Sequence, residues 1–416
     1  MINSQERTDL ILSFARVLHV NGESTDETIA AAERLGSKLG ISAKVIPRWG
    51  ELDLEVGDLG TIQVAVGAAD PTGVDMYRVA SAWQAIDELS TGPLAPSEAL
   101  KTINAISQTS PAPTWLFTLA AAAGAAALSV IFGVQHPAAV VLIIFSAGTG
   151  AVLRRFLARY SSNPLLQPFC AALLAGIIGA LAVRYQLSSS LRLIAVCPCM
   201  ILVPGPHVLN SMMDLAAVRV PLGASRLIYA SLIILAISAG LLLGLSLLKV
   251  SLPVDSPGRA VPLWLDVIAA GVAVAAYSIF FSTPLRMLGW PVAVGMLAHA
   301  MRWWTLSIGA SAATGALVAC LLVGLILTPV ARRRHMPFAA IGFASVVSMM
   351  PGVFLFRMVS GLLQLANSSN TTLQLLGGTI ADGLIAITII LAMSFGLIVP
   401  KIVIDHLRDK TTRTQA

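Results

Sequence analysis

The sequence predicts an α-helical polytopic membrane protein. About ten transmembrane helices form two inverted five-helix repeats behind an N-terminal cytoplasmic α+β domain. Three observations lead there. Hydrophobic residues make up 56% of the 416 and charged residues only 12%, too apolar for a soluble chain of this length. The charge is unevenly placed: residues 1–112 hold eight Lys/Arg against fifteen Asp/Glu, and the remainder holds nineteen against six. Finally, a Pro-Gly pair interrupts each of two long apolar runs, at Pro204-Gly205 and Pro351-Gly352. A proline there removes an amide donor and clashes one turn back.

The acidic head comes first, as a domain over residues 1–112. A helix is expected from about Gln5 to His19 by its apolar spacing. Ser24 and Glu27 of "STDE" have the form of a capping box, so a second helix runs to about Leu39, with Gly40 ending it. "SAKVIPR", "LDLEV" and "TIQVAVG" read as three short strands, the first at an edge because it contains Pro47. Two more helices follow, about Val74–Leu89 and Pro96–Gln108, the second with Ser97 as its expected N-cap. The head has no P-loop, GxGxxG, GxSxG or HExxH motif. Asp26, Glu27 and Glu33 read as a solvated helix face. No apolar segment precedes the head, so it is expected to stay in the cytoplasm.

The body then offers ten apolar segments, centred in 115–133, 137–153, 167–184, 191–210, 225–248, 263–281, 284–301, 304–328, 337–361 and 374–399. Each is near the length that crosses a bilayer, about 20 residues. With the head inside, the inner loops hold thirteen basic residues, among them Arg219, Arg226 and Arg332, and the outer loops five (Arg184, Arg192, Lys249, Arg259 and Arg302). That excess places both termini on the cytoplasmic side of a bacterial inner membrane. The net charge of +6 therefore belongs to membrane loops and does not call for nucleic acid. Cys170, Cys197, Cys199 and Cys320 all lie in apolar runs, and Cys197-Pro198-Cys199 lacks a zinc spacing, so they read as packing residues. Nothing points to a metal or another cofactor.

Pro351-Gly352 follows Pro204-Gly205 by 147 residues, and the same offset carries Pro137 onto Pro284 and Arg155 onto Arg302. Two repeats are therefore expected, 113–250 and 251–416, the second ending in a short cytoplasmic tail. Five spans per half is an odd number, so the halves enter the membrane from opposite sides. That is the plan of many secondary transporters, in which helices broken near the midplane build the substrate site. A break frees carbonyls and restarts a helix whose N-terminus suits a carboxylate.

On these motifs the chain resembles the bacterial threonine/serine exporters, in their fused form. The resemblance rests on "LHVNGESTDETIAAAERLGSKLG", on "LVPGPHVLNSMMDL" followed by "LGASRL", and on "MMPGVFLFRMVSGL". It implies a secondary active transporter, not an enzyme, that exports small hydroxylated amino acids on the proton-motive force. Dicarboxylate export is the alternative the family leaves open; a membrane-anchored hydrolase is the rival class. His207 departs from the family pattern, which has an apolar residue there.

The residues expected to line the substrate path are Pro204, Gly205, His207, Asn210, Asp214, Pro351, Gly352, Arg357 and Asp382. Arg357 lies too deep to be a loop charge and suits a substrate carboxylate, unless it snorkels to the interface. Asp382 suits an ammonium group or a proton, or else pairs with Arg357. His207 is either a proton carrier or a satisfied core histidine. Asn210 offers neutral hydrogen bonds, and Asp266 reads as an interfacial charge. The partners implied are an amino acid or carboxylate substrate, protons and the lipid bilayer; self-association stays open.

Overall fold

The computed structural model describes residues 4–58, 61–92, 94–134, 136–185, 191–250, 261–334, 336–367 and 372–415. Arg259 and the expected repeat boundary at 250/251 adjoin or lie outside these residues, as do the side chains of Arg192, Arg408, Lys410 and Arg413.

Within residues 4–108 the helices and strands lie close to the places read from the sequence, with two corrections at the helix caps. Helices α1 (Ser4–Val20) and α2 (Thr25–Leu39) precede an antiparallel sheet β1 (Ser42–Pro47), β2 (Gly50–Asp58) and β3 (Thr61–Ala69), in that spatial order. Pro47 does end the edge strand. On β2, Leu52, Leu54 and Val56 alternate into the core, where they meet Phe14 and Leu18 of α1 and Leu35 of α2. Helices α3 (Met76–Thr91) and α4 (Pro96–Gln108) complete the domain. Ser24 caps α2 by accepting from the Glu27 amide, but the return arm of the box is absent. Glu23 Oε1 instead accepts from the Ser24 amide at 2.8 Å. The α4 cap is Ala95, with Pro96 at the first helical position, and Ser97 does not cap.

The body contains helices at all ten expected places. They are α5 (Thr114–Ile131), α6 (Pro137–Leu157), α7 (Leu166–Arg184), α8 (Leu191–Met200) with α9 (Gly205–Ala216), and α10 (Val220–Ser246). The second series is α11 (Leu263–Phe280), α12 (Gly289–Ser307), α13 (Ala312–Arg334), α14 (Phe338–Val346) with α15 (Gly352–Asn367), and α16 (Leu373–Gln415). Seven single helices are long and apolar enough to span a bilayer, and two bent pairs bring the count to nine. The remaining segment is α12; it carries His299 and Arg302 and falls short in apolarity. Both Pro-Gly pairs do break a helix, with bends of 55° between α8 and α9 and 68° between α14 and α15. A 3₁₀ turn, Val347–Met349, fills part of the second break.

Close helix contacts recur at matching places. α7 packs on α10 and α13 on α16, the third and fifth segments of each series. A Cβ on Gly244 would lie 2.4 Å from the Leu173 carbonyl oxygen, and one on Gly396 would lie 2.5 Å from Cys320 Cβ. Small residues let helix backbones approach where apolar burial supplies no drive, as in lipid.

Candidate functional site

The two breaks pack against each other's helices. Gly205 opens α9 directly on the Phe343 ring of α14, so close that a Cβ there would sit 1.8 Å from Cε2. Gly352 opens α15 against Met200, the last residue of α8. The Tyr277 hydroxyl donates to the Met200 carbonyl at 2.7 Å, which satisfies one acceptor the break has freed. The first break does not offer its amides as expected. Gly205 N–H donates to Val203 O, Pro206 has no N–H, and the His207 and Val208 amides both turn back to Pro204 O. The carboxylate cradle read from Pro204-Gly205 is therefore corrected: local turn bonds consume its donors.

The candidate residues of the first half face the head. Asn210 Nδ2 donates to the Gly22 carbonyl of the head at 3.1 Å. His207, 7% exposed, stands edge-on to the Tyr229 ring at 5.2 Å. Asp214 is clamped by two arginines, Arg226 at 3.0 Å and Arg219 at 3.6 Å. Arg226, counted above among loop charges, is one of the largest fully buried side chains. A cation so buried requires a counter-charge, and Asp214 supplies it. Asp26 pairs with Arg219, and Glu27 lies 4.0 Å from Arg332 at the end of α13. These two acids keep solvent access, as read, and from that face they also reach basic residues of both halves of the body.

Between the head and the first break lies a cavity of about 350 Å³. Its lining includes Asp75, Arg154, Arg155, Pro204, His207 and Tyr229. Arg154 lies over the Phe117 and Phe280 rings at 5.7 and 5.1 Å, and its Nε and Nη1 have no hydrogen-bond partner among the described residues. Arg155 Nη2 donates to the Ala112 carbonyl. Asp75 Oδ1 accepts from the Tyr77 and Arg78 amides and caps α3, and burial raises its pKa above the usual carboxylate value.

The second half holds a smaller pocket of about 210 Å³ between α15 and α16. Arg357, Ser360, Gln364, Thr379 and Asp382 line it. Arg357 Nε lies 3.0 Å from Asp382 Oδ2. The two residues suspected separately thus meet, and their ion pair leaves Arg357 Nε without an aligned hydrogen bond.

A third cluster was missed. Asp266 lies in the first turn of α11, near a span end as read, but it is buried in the protein and does not face outward. It is 5% exposed, and its Oδ2 lies 3.0 Å from Nδ1 of the fully buried His299, whose Nε2 contacts the Ser348 hydroxyl in the second break. Only the polarity of α12 hinted at this, through His299 and Arg302 one turn apart.

Helices broken in pairs, polar pockets inside an apolar bundle and a docked head define a multi-pass membrane transporter. Sequence comparison agrees. The profile of the threonine/serine exporter family matches residues 9–248, and a second, "Threonine/Serine exporter, ThrE", matches residues 266–403. The chain belongs to the threonine/serine exporter family, which is a transporter family and not one of enzymes. It is 23% identical over 420 residues to "Probable threonine/serine exporter" of Mycobacterium tuberculosis, covering 92% of this chain and 77% of that protein. No solved structure matches it significantly.

Proposed function

We propose that the chain exports threonine and serine from the cytoplasm against an inward flow of protons. Its ten segments would cross the inner membrane as two inverted five-helix halves, 113–250 and 251–416, with both termini and the head of residues 1–112 inside. The Arg357–Asp382 pocket carries the proposal. It joins a cation, an anion, three hydroxyls and two amides within about 210 Å³. A zwitterion can replace such an ion pair, its carboxylate on Arg357 and its ammonium on Asp382. A substrate hydroxyl then has Ser360, Thr379 or Gln364 as partners. In the structure Gln364 Nε2 donates to Ser360 Oγ and Thr379 Oγ1 to the Leu375 carbonyl, so a substrate hydroxyl would join an already paired network.

On this reading the substrate enters through the cavity beside Pro204, His207 and Tyr229, and leaves past Pro351-Gly352 and Arg357. Asn210 and Asp214 link that inner cavity to the head. Gly205 sets the closeness of the halves. The test is efflux of labelled threonine, serine and succinate from proteoliposomes, with and without a proton gradient. Threonine and serine efflux that rises with the gradient supports the proposal; its absence in fully inserted protein refutes it.

A second reading, dicarboxylate export, has one observation in its favour. The inner cavity presents two guanidinium groups, Arg154 and Arg155, while its one acid, Asp75, is engaged as a helix cap. Two cations suit a dianion. Succinate efflux in the same assay, without threonine efflux, would select this reading.

A further inference from the structure

We propose that Asp266, His299 and Ser348 form the proton-binding site of the transport cycle, and that loading it redirects the Ser348 hydroxyl into the second break. This rests on the proton-coupled reading above and assigns that coupling to residues.

Four buried or partly buried acids of the body have basic partners among the described residues. Asp214 pairs with Arg226, Asp382 with Arg357, and Asp405 with Arg332 and Lys401. Arginine keeps its charge throughout a transport cycle, and Lys401–Asp405 lies at the cytoplasmic end of α16 beside the Arg332 pair. Asp266 alone among them pairs with an imidazole, at 3.0 Å and with both partners buried. Histidine is the side chain suited to gaining and losing a proton near neutral pH. Ionisable groups inside a membrane span mark proton paths by default.

The geometry also says what the proton does. With Nδ1–H donated to the Asp266 carboxylate, a neutral imidazole presents Nε2 as an acceptor, and the Ser348 O–H donates to it. A proton that binds Nε2 turns that atom into a donor. The hydrogen bond then reverses: Nε2–H donates to Ser348 Oγ, and the serine O–H must find another acceptor. Ser348 lies in the 3₁₀ turn three residues before Pro351, within the break itself. One proton is taken up on Nε2 and the same proton leaves it; no other covalent bond changes. Proton occupancy is thereby written into the hydrogen bonding of the broken helix.

The surrounding charges are few. Arg302, one turn along α12, acts through space on both His299 and Asp266, and Cys320 of α13 faces Arg302. Tyr277 of α11 donates to Met200 O, and Arg286 stands in the 3₁₀ turn Leu285–Met287 before α12. The basic residues of α13 are confined to its last turn, and α14 has no ionisable group. Position fits as well. Asp266 is in the first turn of α11 and Ser348 is in the break, so the chain runs from a helix end toward the middle of the bundle.

The test uses the full-length protein in liposomes and compares two modes. Threonine–threonine exchange across equal pH needs no net proton movement, whereas accumulation driven by a pH gradient does. For His299→Gln and Asp266→Asn, exchange should stay within about threefold of wild type while gradient-driven accumulation falls at least tenfold. Ser348→Ala should behave likewise, and Ser348→Thr, which keeps the hydroxyl, should recover accumulation. Undiminished driven accumulation in the His299 and Asp266 variants overturns the proposal. So does loss of exchange together with drive, since the cluster would then be a structural tie. If wild-type protein exchanges threonine but never responds to the gradient, the coupled-export reading itself fails, and that outcome is visible before any variant is made.

Discussion

Replacing Arg357 by lysine separates a substrate clamp from a boundary charge. In the structure the guanidinium reaches Asp382 at 3.0 Å while its side chain keeps only 17% exposure. Lysine retains the charge, and its stem still allows it to reach an interface, but it lacks the planar fork that holds a carboxylate with two parallel bonds. Loss of one charge-assisted hydrogen bond costs about 1.5–3 kcal/mol. The residual exposure points to the lower end, so apparent threonine affinity should weaken by about tenfold. The assay is the concentration dependence of threonine exchange in proteoliposomes, with insertion checked by detergent-solution monodispersity. A charge swap, Arg357→Asp with Asp382→Arg, provides the complementary arm. It should restore assembly if the pair has a structural share, yet leave transport low because both polar ends of the substrate then meet shifted partners. Affinity within twofold of wild type for the lysine variant, or full transport by the swap, would refute the clamp.

Three other predictions follow from particular contacts. Gly205→Ala should cripple transport, because its Cβ would enter the Phe343 ring, and adding Phe343→Ala should recover part of it; Gly352→Ala should be milder, since a Cβ there meets the flexible Met200 side chain at 3.2 Å. Equal damage at both glycines in an efflux assay would contradict this. Asn210→Ala removes the bond to Gly22 and should lower the melting temperature, with a loss of about 1 kcal/mol; an unchanged melting curve would deny that this contact holds the head. Glu23 is buried beside Trp83, and burial, then Glu27, pushes its pKa up to about 7. An acid whose folded pKa is raised stabilises the fold most below its unfolded value and loses that contribution as pH rises to about 7. His19, pushed down to about 3 by burial, works in the opposite direction over part of this range. The informative quantity is therefore the stability of wild type minus that of Glu23→Gln. It should fall by roughly 3 kcal/mol between about pH 4.5 and 7, measured by denaturation at several pH values; a flat difference would refute the assignment.

Much of the architecture was legible because membrane burial writes long apolar runs into the chain, and Pro-Gly marks where such runs must bend. The head was equally open, since Leu52, Leu54 and Val56 alternate and Ser24 announces α2. Pairing across the fold was not. Asp266, His299 and Ser348 stand 33 and 49 residues apart, and no local period relates them. Arg226 looked like a loop charge because sequence position near a span end says nothing about depth, and its partner Asp214 belongs to a different helix. The amides at Pro204-Gly205 were misjudged for a related reason. A break frees donors in principle, but a tight turn can use them up, and that depends on backbone angles that proline and glycine both permit.

The reciprocal packing of the two breaks suggests how the pockets on either side are kept from opening together. Gly205 of the first half presses on Phe343 of the second, and Gly352 of the second presses on Met200 of the first. The first contact cannot loosen by a small side-chain shift, because the glycine leaves no space between backbone and ring; the second meets the flexible Met200 side chain and can give. Sliding α9 past α14 would therefore move the first break and α14 as one change, while Tyr277 on Met200 O ties α11 to the same joint. Asp26–Arg219 and Glu27–Arg332 connect the head to the ends of α9 and α13. Surface ion pairs of this kind contribute little to stability, about 0–1 kcal/mol each. Such weak ties can form and release within a transport cycle, whereas the buried Asp214–Arg226 pair, which would leave an uncompensated charge if broken, must travel intact with α9 and α10.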